Sequence, residues 1–208
     1  MNLQLITPYF TPQRVLDIGA NIGEWYSLCR NNFPESYIFS IEANDGCEGL
    51  LKAANPNSII ALLAKDEKMY DFYTKTDAST ATGNSIYREL TPYYNDESTN
   101  LIIKKQGVIL DKLFPDETFD LIKMDIQGAE LDVISGGINL CKKAKGILLE
   151  VALKEYNLNS PLHDEVVEYM ESIGFIKKET LSDLAYNGEI YHQDILFINE
   201  NIIHNQSH

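Results

Sequence analysis

The chain has 208 residues, of which 44% are hydrophobic, and this length and composition are typical of a globular protein with one core. Its formal net charge of -14 argues against a nucleic-acid substrate and against an anionic membrane surface, because both require basic protein surface. The sequence also contains neither an apolar run of membrane-spanning length nor the basic start and apolar core of a signal peptide.

The cysteines are odd in number and widely spaced, which favours reduced buried thiols over a disulfide framework. They are Cys29, Cys47 and Cys141. We therefore expect a cytoplasmic protein with a single domain over residues 1–208. Within it, 1–13 form a short lead-in that packs on the sheet, and 200–208 form a frayed tail.

The first recognisable unit covers residues 14–24. A short apolar run contains Asp17, a turn with Gly19 and Gly23 follows, and apolar residues then recur at helical spacing from Trp25 onward. This pattern is the strand, loop and helix that open an α/β nucleotide-binding fold, in which ligands lie at the carboxyl ends of parallel strands. The glycines permit the turn and a close approach of backbone to ligand, and Asp17 places negative charge beside that ligand.

The chemistry of this loop narrows the choice of ligand. A dinucleotide site needs G-x-G-x-x-G, but Asn21 and Glu24 stand at the second and third glycine positions, and no G-K-[ST] follows to form a P-loop. A carboxylate at the head of the helix repels a pyrophosphate, whereas S-adenosylmethionine carries an ammonium and a sulfonium. A purely structural turn is the alternative. The loop resembles motif I of class I methyltransferases, and residues 17–24 resemble the FkbM family in particular.

The second strand is predicted over residues 37–42 and ends in Glu42. An acid about 20 residues beyond the loop accepts hydrogen bonds from ribose hydroxyls in such folds. The alternative is a cap for the helix that starts near Asn44, and both roles can coexist. The stretch 42–44 also resembles the FkbM family. The cofactor-binding residues predicted so far are Asp17, Gly19, Asn21, Gly23, Glu42 and Ala43.

The next segment is predicted to hold a weak helix over 45–55 and a third apolar strand over 58–64. In class I methyltransferases the residues just past this strand contact the adenine ring. Lys65 and Asp66 occupy that place by order, and the alternative is an ordinary polar strand end. Residues 70–74 alternate enough to form an extra short strand.

Residues 75–100 are rich in Ser, Thr, Asn and Asp, which predicts a loop with one helical turn near 86–90. Loops at such places often carry function. Two interpretations stay open. One is a mobile lid over the acceptor site with Asn84 and Ser85 as polar contacts, and the other is a solvated surface loop.

Further strands are predicted over 101–105 and 108–110, and a second strand–acid–glycine–helix unit follows at 119–130. By strand order its acid, Asp125, lies beside the first strand at the centre of the carboxyl edge. An N-cap for the following helix is the alternative. The unit strongly resembles the FkbM motif ending in Glu-Gly-Ala-Glu, except that Gln127 replaces the first acid.

Glu150 interrupts a buried strand predicted over 146–153, so its carboxylate needs a partner such as Lys123. Ser160 is predicted to cap the last long helix, with Pro161 at its first position.

Gly174 is predicted to end that helix. Residues 175–180 and 191–199 complete the sheet as a hairpin, and the second of these strands resembles the closing strand of the FkbM family. His163 and His192 have no second ligand at metal spacing and are interpreted as structural residues, with contact to the acceptor as the alternative.

The FkbM resemblance spans residues 14–199. It implies an α/β protein with the Rossmann-like class I methyltransferase fold, a mostly parallel seven-stranded sheet with an antiparallel terminal strand, and helices on both faces. It also implies S-adenosylmethionine as cofactor and methylation of a hydroxyl on a sugar, glycan or other small molecule.

The chemistry of the reaction agrees with this interpretation. The sulfonium is already activated, so the enzyme aligns the acceptor oxygen and a carboxylate takes its proton. Asp125 is the first candidate for this base and Glu150 the second. No obligatory metal is expected, and a magnesium ion held by both acids is the alternative. Two other functions stay open, a non-catalytic adenosyl-binding module and a nicotinamide-dependent oxidoreductase.

Overall fold

The structure is a computed structural model that describes residues 1–75, 82–90, 100–186 and 188–203. Its strands are β1 (Arg14–Ile18), β2 (Tyr37–Glu42), β3 (Ser58–Ile60), β4 (Leu62–Leu63), β5 (Met69–Lys75), β6 (Asn100–Val108), β7 (Leu121–Met124), β8 (Gly146–Ala152), β9 (Phe175–Tyr186) and β10 (Glu189–Asn199). Its α-helices are α1 (Glu24–Asn32), α2 (Glu48–Ala54), α3 (Leu110–Leu113), α4 (Glu130–Gly136), α5 (Ile138–Cys141), α6 (His163–Ser172) and α7 (Glu200–Ile203). Short 3-10 turns cover Leu3–Ile6 and Asp45–Cys47.

The main sheet has seven strands in the order β3-β2-β1-β7-β8-β10-β9. The pairs from β3 to β8 are parallel, and β10 runs antiparallel to both of its neighbours. The strand order reverses between β1 and β7, so the crevice where such sheets bind ligands opens beside these two strands. The predicted Rossmann-like class I methyltransferase fold is confirmed.

Alternate residues of the strands enter two apolar clusters, one on each face of the sheet. Leu16 and Ile122 join the cluster that includes α4, α5 and α6. Val15 and Leu121 join the cluster that includes α1 and the Leu3–Ile6 turn. Helices therefore cover both faces, and the N-terminal lead-in packs on the sheet as predicted. In the described part of the chain no helix is long and apolar enough to cross a membrane.

The predicted third strand over 58–64 is wrong in one respect, because it divides at Ala61 between two sheets. The amide of Ala61 donates to the carbonyl oxygen of Glu42 at 2.8 Å, which ends the pairing of β3 with β2. The chain then enters a three-stranded sheet in which β4 lies parallel and β5 antiparallel to β6. We call this the accessory sheet.

Two further predictions in this region need correction. The strands expected at 101–105 and 108–110 are one strand, β6, because Gly107 does not break the strand. Its lack of a side chain instead lets the backbone of Asp66 approach, since a Cβ at Gly107 would lie 2.6 Å from the Asp66 carbonyl oxygen. Residues 86–90 form no helical turn. Bridges at Ser85 and Glu89 extend this stretch instead.

Three predictions concern the C-terminal part. Ser160 is not the cap of α6, because its hydroxyl donates to the carbonyl of Asn157 and the helix begins at His163. Gly174, with a φ of 95°, follows the end of α6 as predicted. Residues 200–203, expected to be frayed, form α7, and 204–208 lie outside the described residues.

The ends of β1 and β7 approach each other at Gly19, which has a φ of 77°. A Cβ at this position would lie 1.9 Å from the carbonyl oxygen of Asp125. Any side chain at position 19 would therefore push the two loops apart as well as strain the backbone.

We expect Gly19→Ala to lower the free energy of unfolding by at least about 1–3 kcal/mol, the usual cost of one strained backbone position. Gly49→Ala is the matched control, since Gly49 lies in α2 and a methyl group there would have no neighbouring atom within 4 Å. That variant should be neutral or more stable by about 0.5–1 kcal/mol. Urea unfolding measures both, and equal stabilities for the two variants would contradict the close approach at Gly19.

Candidate active site

A buried ion pair lies beneath the crevice. Asp17 and Lys123 are register partners on β1 and β7, so their side chains emerge on the same face of the sheet. The Lys123 Nζ is 3.4 Å from Asp17 Oδ1 and 3.2 Å from the carbonyl oxygen of Gly19, and the two side chains are 4% and 0% exposed. Burial would lower the pKa of Lys123, but Asp125 and Asp17 outweigh it and raise that pKa. The lysine is therefore a fixed cation under the site.

Asp17 itself is placed below the surface of the site. Its Oδ2 accepts a hydrogen bond from Ser40 at 3.3 Å, and burial raises its pKa in spite of Lys123. The structure therefore brings the predicted charge of Asp17 under the loop but does not bring its carboxylate to a cavity.

Asp125 follows β7, and its carboxylate is the second one that pairs with Lys123, with Oδ2 at 3.6 Å from Nζ. Its side chain is 36% exposed, and α4 begins only at Glu130, so the N-cap alternative is wrong. Burial would raise the pKa of Asp125, but Lys123 and a hydrogen bond from Gln127 outweigh it and lower that pKa. Asp125 is therefore a weakly basic carboxylate held in its charged form.

Gln127 joins Asp125 to the other predicted acid. Its Nε2 donates to Asp125 Oδ1 at 2.9 Å and to Glu150 Oε2 at 2.5 Å. The partner expected for Glu150 was Lys123, but within the described residues that lysine forms its ion pairs with Asp17 and Asp125. The side-chain amide of Gln127 takes its place, which a glutamate at this position could not do.

Glu150 has a second neighbour in His192, whose Nδ1 lies 3.3 Å from Glu150 Oε1. Burial and the nearby charge of Asp125 raise the pKa of Glu150 to about 7. Burial would lower the pKa of His192, but Glu150 outweighs it and raises that pKa. The two carboxylates of the site thus differ in proton affinity, with Glu150 the stronger base.

Sequence reasoning assigned His192 chiefly to the structure and did not identify Tyr156. The Tyr156 ring lies 4.7 Å from the imidazole of His192, edge to face. The one available signal was the alternation of β10, which places His192 and Asp194 on the same side of the strand. That alternation does not show that Asp194 on β10 is the register partner of Glu150 on β8.

Glu42 ends β2 and braces the first loop. Its Oε2 accepts from the amide of Asn21 at 2.8 Å and its Oε1 from the amide of Asn44 at 2.7 Å. Asn44 caps the following 3-10 turn with its own side chain, so Glu42 is not needed there. Because a carboxylate can accept about four hydrogen bonds, Glu42 retains capacity for a ligand.

Two residues without the freedom of glycine adopt left-handed backbone in the two loops. Asn21 has a φ of 47° and Gln127 a φ of 56°. Such conformations persist where the surrounding structure imposes them, and they concentrate at functional sites. Both residues line the same cavity.

Two adjoining cavities open at this edge of the sheet. The first, which we call the apolar slot, includes Ile41, Ala61, Leu62, Leu63, Phe72 and Ile86. The second, the polar cavity, has a volume of about 310 Å³ and includes Asn21, Gln127, Glu150, Tyr156, Leu184 and His192. Gly19, Glu42, Asn84 and Asp125 line both.

Three of the predicted cofactor residues lie elsewhere. Lys65 forms an ion pair with Asp132 at 3.1 Å, and Asp66 accepts a hydrogen bond from the Tyr70 hydroxyl at 2.7 Å. Gly23 directly precedes α1. None of the three is among the described residues that line the slot or the polar cavity. The reason for Lys65 and Asp66 is the early end of β3, because residues 61–63 then occupy the place expected for them. Ala43 does line the slot.

The segment 82–90 closes one side of the cavities. The Ser85 hydroxyl contacts the carbonyl oxygens of Ile126 at 3.2 Å and Gln127 at 2.9 Å, so it binds the second loop, and Ser85 also lines the apolar slot. Asn84 faces both cavities. The remainder of the predicted lid, 76–81 and 91–99, lies outside the described residues.

The arrangement fits an adenosyl ligand. The slot is lined by apolar side chains suited to a flat ring, and Glu42 stands between the slot and the polar cavity, where a ribose joined to that ring would lie. Among the described residues no group of three or more His, Cys, Asp or Glu side chains is placed to hold a metal ion.

Comparison with known families decides the membership. The methyltransferase FkbM domain matches residues 17–177 of the sequence. The chain belongs to the FkbM methyltransferase family. The predicted resemblance is confirmed.

Solved structures with this fold include several methyltransferases. FkbM from Methylobacillus flagellatus KT has a TM-score of 0.56 and 14% identity over 89% of this chain, which spans 43% of that protein. Magnesium protoporphyrin IX methyltransferase from Synechocystis PCC 6803, with bound SAM, has a TM-score of 0.51 and 10% identity over 89% of this chain and 69% of that one.

The N-terminal domain of EvdMO1, in the presence of SAH and D-fucose, has a TM-score of 0.51 and 11% identity over 95% of this chain and 80% of that one. No curated protein sequence matches the chain. These likenesses establish the fold, and the methyl acceptor is a separate question.

We expect Lys123→Met to lower the free energy of unfolding at pH 7 by about 3–5 kcal/mol, because Asp17 and Asp125 lose their shared cation. The double variant Asp17→Asn/Lys123→Met should recover part of the loss, since it removes one of the uncompensated charges. The deficit of the single variant should shrink toward pH 5 as the carboxylates take up protons. Urea unfolding at both pH values tests this, and a double variant less stable than the single one would contradict it.

Proposed function

We propose that this protein transfers the methyl group of S-adenosylmethionine to a hydroxyl of a small molecule or glycan in the polar cavity. The observation that carries the proposal is the position of Glu150, a carboxylate with a pKa raised to about 7 by burial and by Asp125, on the wall of a cavity that adjoins the apolar slot. A general base works best when its pKa is near the operating pH.

On the cofactor side the chain contributes binding and orientation. In our proposal the apolar slot receives the adenine, Glu42 accepts from the ribose hydroxyls, and Gly19, which lines both cavities, leaves room for the ligand beside its backbone. When bound, S-adenosylmethionine supplies an activated methyl group on a sulfonium. The loop residue Asn21 and the acid Asp125 bound the space on the acceptor side.

On the acceptor side the two candidate bases have different roles. The sequence favoured Asp125 as base, but the Lys123 ammonium outweighs burial and lowers the pKa of this carboxylate, so it holds a proton poorly. Glu150 receives the proton of the acceptor hydroxyl in our proposal, and Asp125 orients the acceptor and stabilises positive charge. Gln127 fixes the distance between the two.

The alternatives receive less support. A nicotinamide-dependent oxidoreductase is disfavoured by Asn21 and Glu24 in the loop and by the family. A non-catalytic module has no use for a base of raised pKa on a cavity wall. The Gln127 amide nitrogen stands between the two carboxylates that a magnesium ion would share, so we propose catalysis without an obligatory metal. The three buried thiols are consistent with the cytoplasmic location expected from the sequence.

S-adenosylhomocysteine should raise the melting temperature and NADH should not, because a ligand that binds the native state stabilises it by mass action.

Glu42→Ala should weaken S-adenosylhomocysteine binding by about ten- to a hundredfold through the loss of a charged acceptor. Calorimetry measures the affinity. Glu48→Ala is the control, since this acid pairs with Lys52 on the surface of α2. Equal affinity in the two folded variants would remove Glu42 from the site.

Glu150→Gln should lower methyl transfer by about 10²–10⁴-fold, the usual contribution of a general base. A base must be unprotonated, so the wild-type rate should rise with pH through about 7 and then level, and the variant should lose this rise. The measurement is transfer of label from tritiated S-adenosylmethionine into a polar metabolite extract between pH 5.5 and 8.5. A variant that keeps the rise would assign the base to another group.

A further inference from the structure

We propose that the acceptor is neutral or cationic, such as an unphosphorylated sugar or an amino sugar, and that phosphorylated or carboxylated acceptors are rejected. Sugar phosphates, nucleotide sugars and uronic acids fall in the rejected class. The inference rests on the proposed function, because it names the acceptor of the same reaction.

The described walls of the polar cavity carry negative charge. Glu42, Asp125 and Glu150 line it, none of its described lining residues is a lysine or arginine, and the imidazole of His192 faces the carboxylate of Glu150. One more acid stands behind this wall, because Asp194 on β10 is the register partner of Glu150 on β8. An anion in the cavity would therefore meet like charges, which suppress binding of a wrong partner strongly.

The segments outside the described residues do not supply the missing cation. Neither lysine nor arginine occurs in 76–81, 91–99, 187 or 204–208. The two loop segments, 76–81 and 91–99, contain only neutral and acidic side chains.

The nearby lysines are already bound within the protein. The ammonium of Lys123 lies under the floor, between Asp17 and Asp125 and against the carbonyl oxygen of Gly19. Lys105, from β6, donates to the carbonyl oxygen of Ala43 and to Asp45 at 2.8 Å. Neither lines the polar cavity.

Backbone amides are the other common cradle for an anion, and here carboxylates occupy them. In the first loop and beside it, the amides of Asn21 and Asn44 donate to Glu42. In the second loop the amide of Ile126 donates to Glu130 at 2.9 Å. These three backbone amides are therefore taken by the chain's own acids.

The same cavity offers partners to a hydroxyl or an ammonium. His192 is only 4% exposed and lines the cavity, and among the described residues its Nδ1 has no hydrogen-bond partner but faces Glu150 Oε1 across 3.3 Å. A hydroxyl can both donate and accept, so it can satisfy such a group as well as the Glu150 carboxylate. The Tyr156 ring beside His192 presents apolar surface to the carbon face of a sugar.

The test identifies the charge of the product without requiring its identity. The full chain is incubated with methyl-tritiated S-adenosylmethionine and a polar metabolite and glycan extract of the organism that encodes it. After removal of the cofactor, labelled products are separated on anion and cation exchangers at pH 7. We expect at least tenfold more label in the unretained and cation-exchanger fractions together than on the anion exchanger.

The outcomes separate the two proposals. Label held mainly on the anion exchanger overturns the charge assignment and leaves the methyltransferase function in place. The absence of any labelled product, from a protein that S-adenosylhomocysteine stabilises against heat, overturns the proposed function.

A pair of variants tests the electrostatic cause. Leu184 lines the polar cavity and is 57% exposed, so Leu184→Arg places a cation at its rim. Ile190→Arg adds the same charge to the same hairpin at a 38% exposed residue that is not among the described lining residues. The first variant should raise the anionic share of label severalfold over wild type and the second should not. Equal shares in the two variants would contradict selection by charge.

Discussion

The ammonium of Lys123, buried between β1 and β7, is the constraint on which the site depends. Removing a lysine from water is costly, and two carboxylates and a carbonyl oxygen must compensate it. Because Asp17 sits on β1 and Asp125 follows β7, this compensation joins the two strands at the place where the strand order reverses. Gly19 completes the junction, since only a residue without a side chain lets the two loops come so close.

The same cation gives the two carboxylates of the site different affinities for a proton. Asp125 lies near enough to Lys123 to keep its charge, whereas Glu150 lies beyond the lysine's ion pairs and faces an imidazole instead. The Gln127 amide holds both acids without adding a charge of its own. A glutamate in its place, as in the family motif, would put a third negative group between them.

The sequence contained enough to predict what depends on local pattern. Glycine or polar residues stand within a few positions of three such features: the strand, loop and helix around Gly19, the acid that ends β2, and the acid that follows β7. What failed depends on pairing between distant segments. The end of β3 at Ile60 follows from pairing of residues 62–63 with residues 107–108 of β6, about 45 residues later, and no local signal marks it.

The role of His192 was missed for a related reason, since it depends on the register of β10 against β8. A one-residue slip in that register would turn the imidazole to the other face of the sheet. The misplacement of the helix cap at Ser160 had a different source, because its hydroxyl binds its own turn before the helix begins.

In the accessory sheet the first strand, β4, lies beside the last one, β6. Leu62 and Leu63 pair with Gly107 and Val108, so the two ends of the intervening segment lie side by side. The entropic cost of such a closed excursion grows only slowly with its length. The length of this segment can therefore vary at little entropic cost, but Phe72, Asn84 and Ile86 within it line the apolar slot and constrain its course. A change in this segment would therefore reshape the slot as well as the polar cavity.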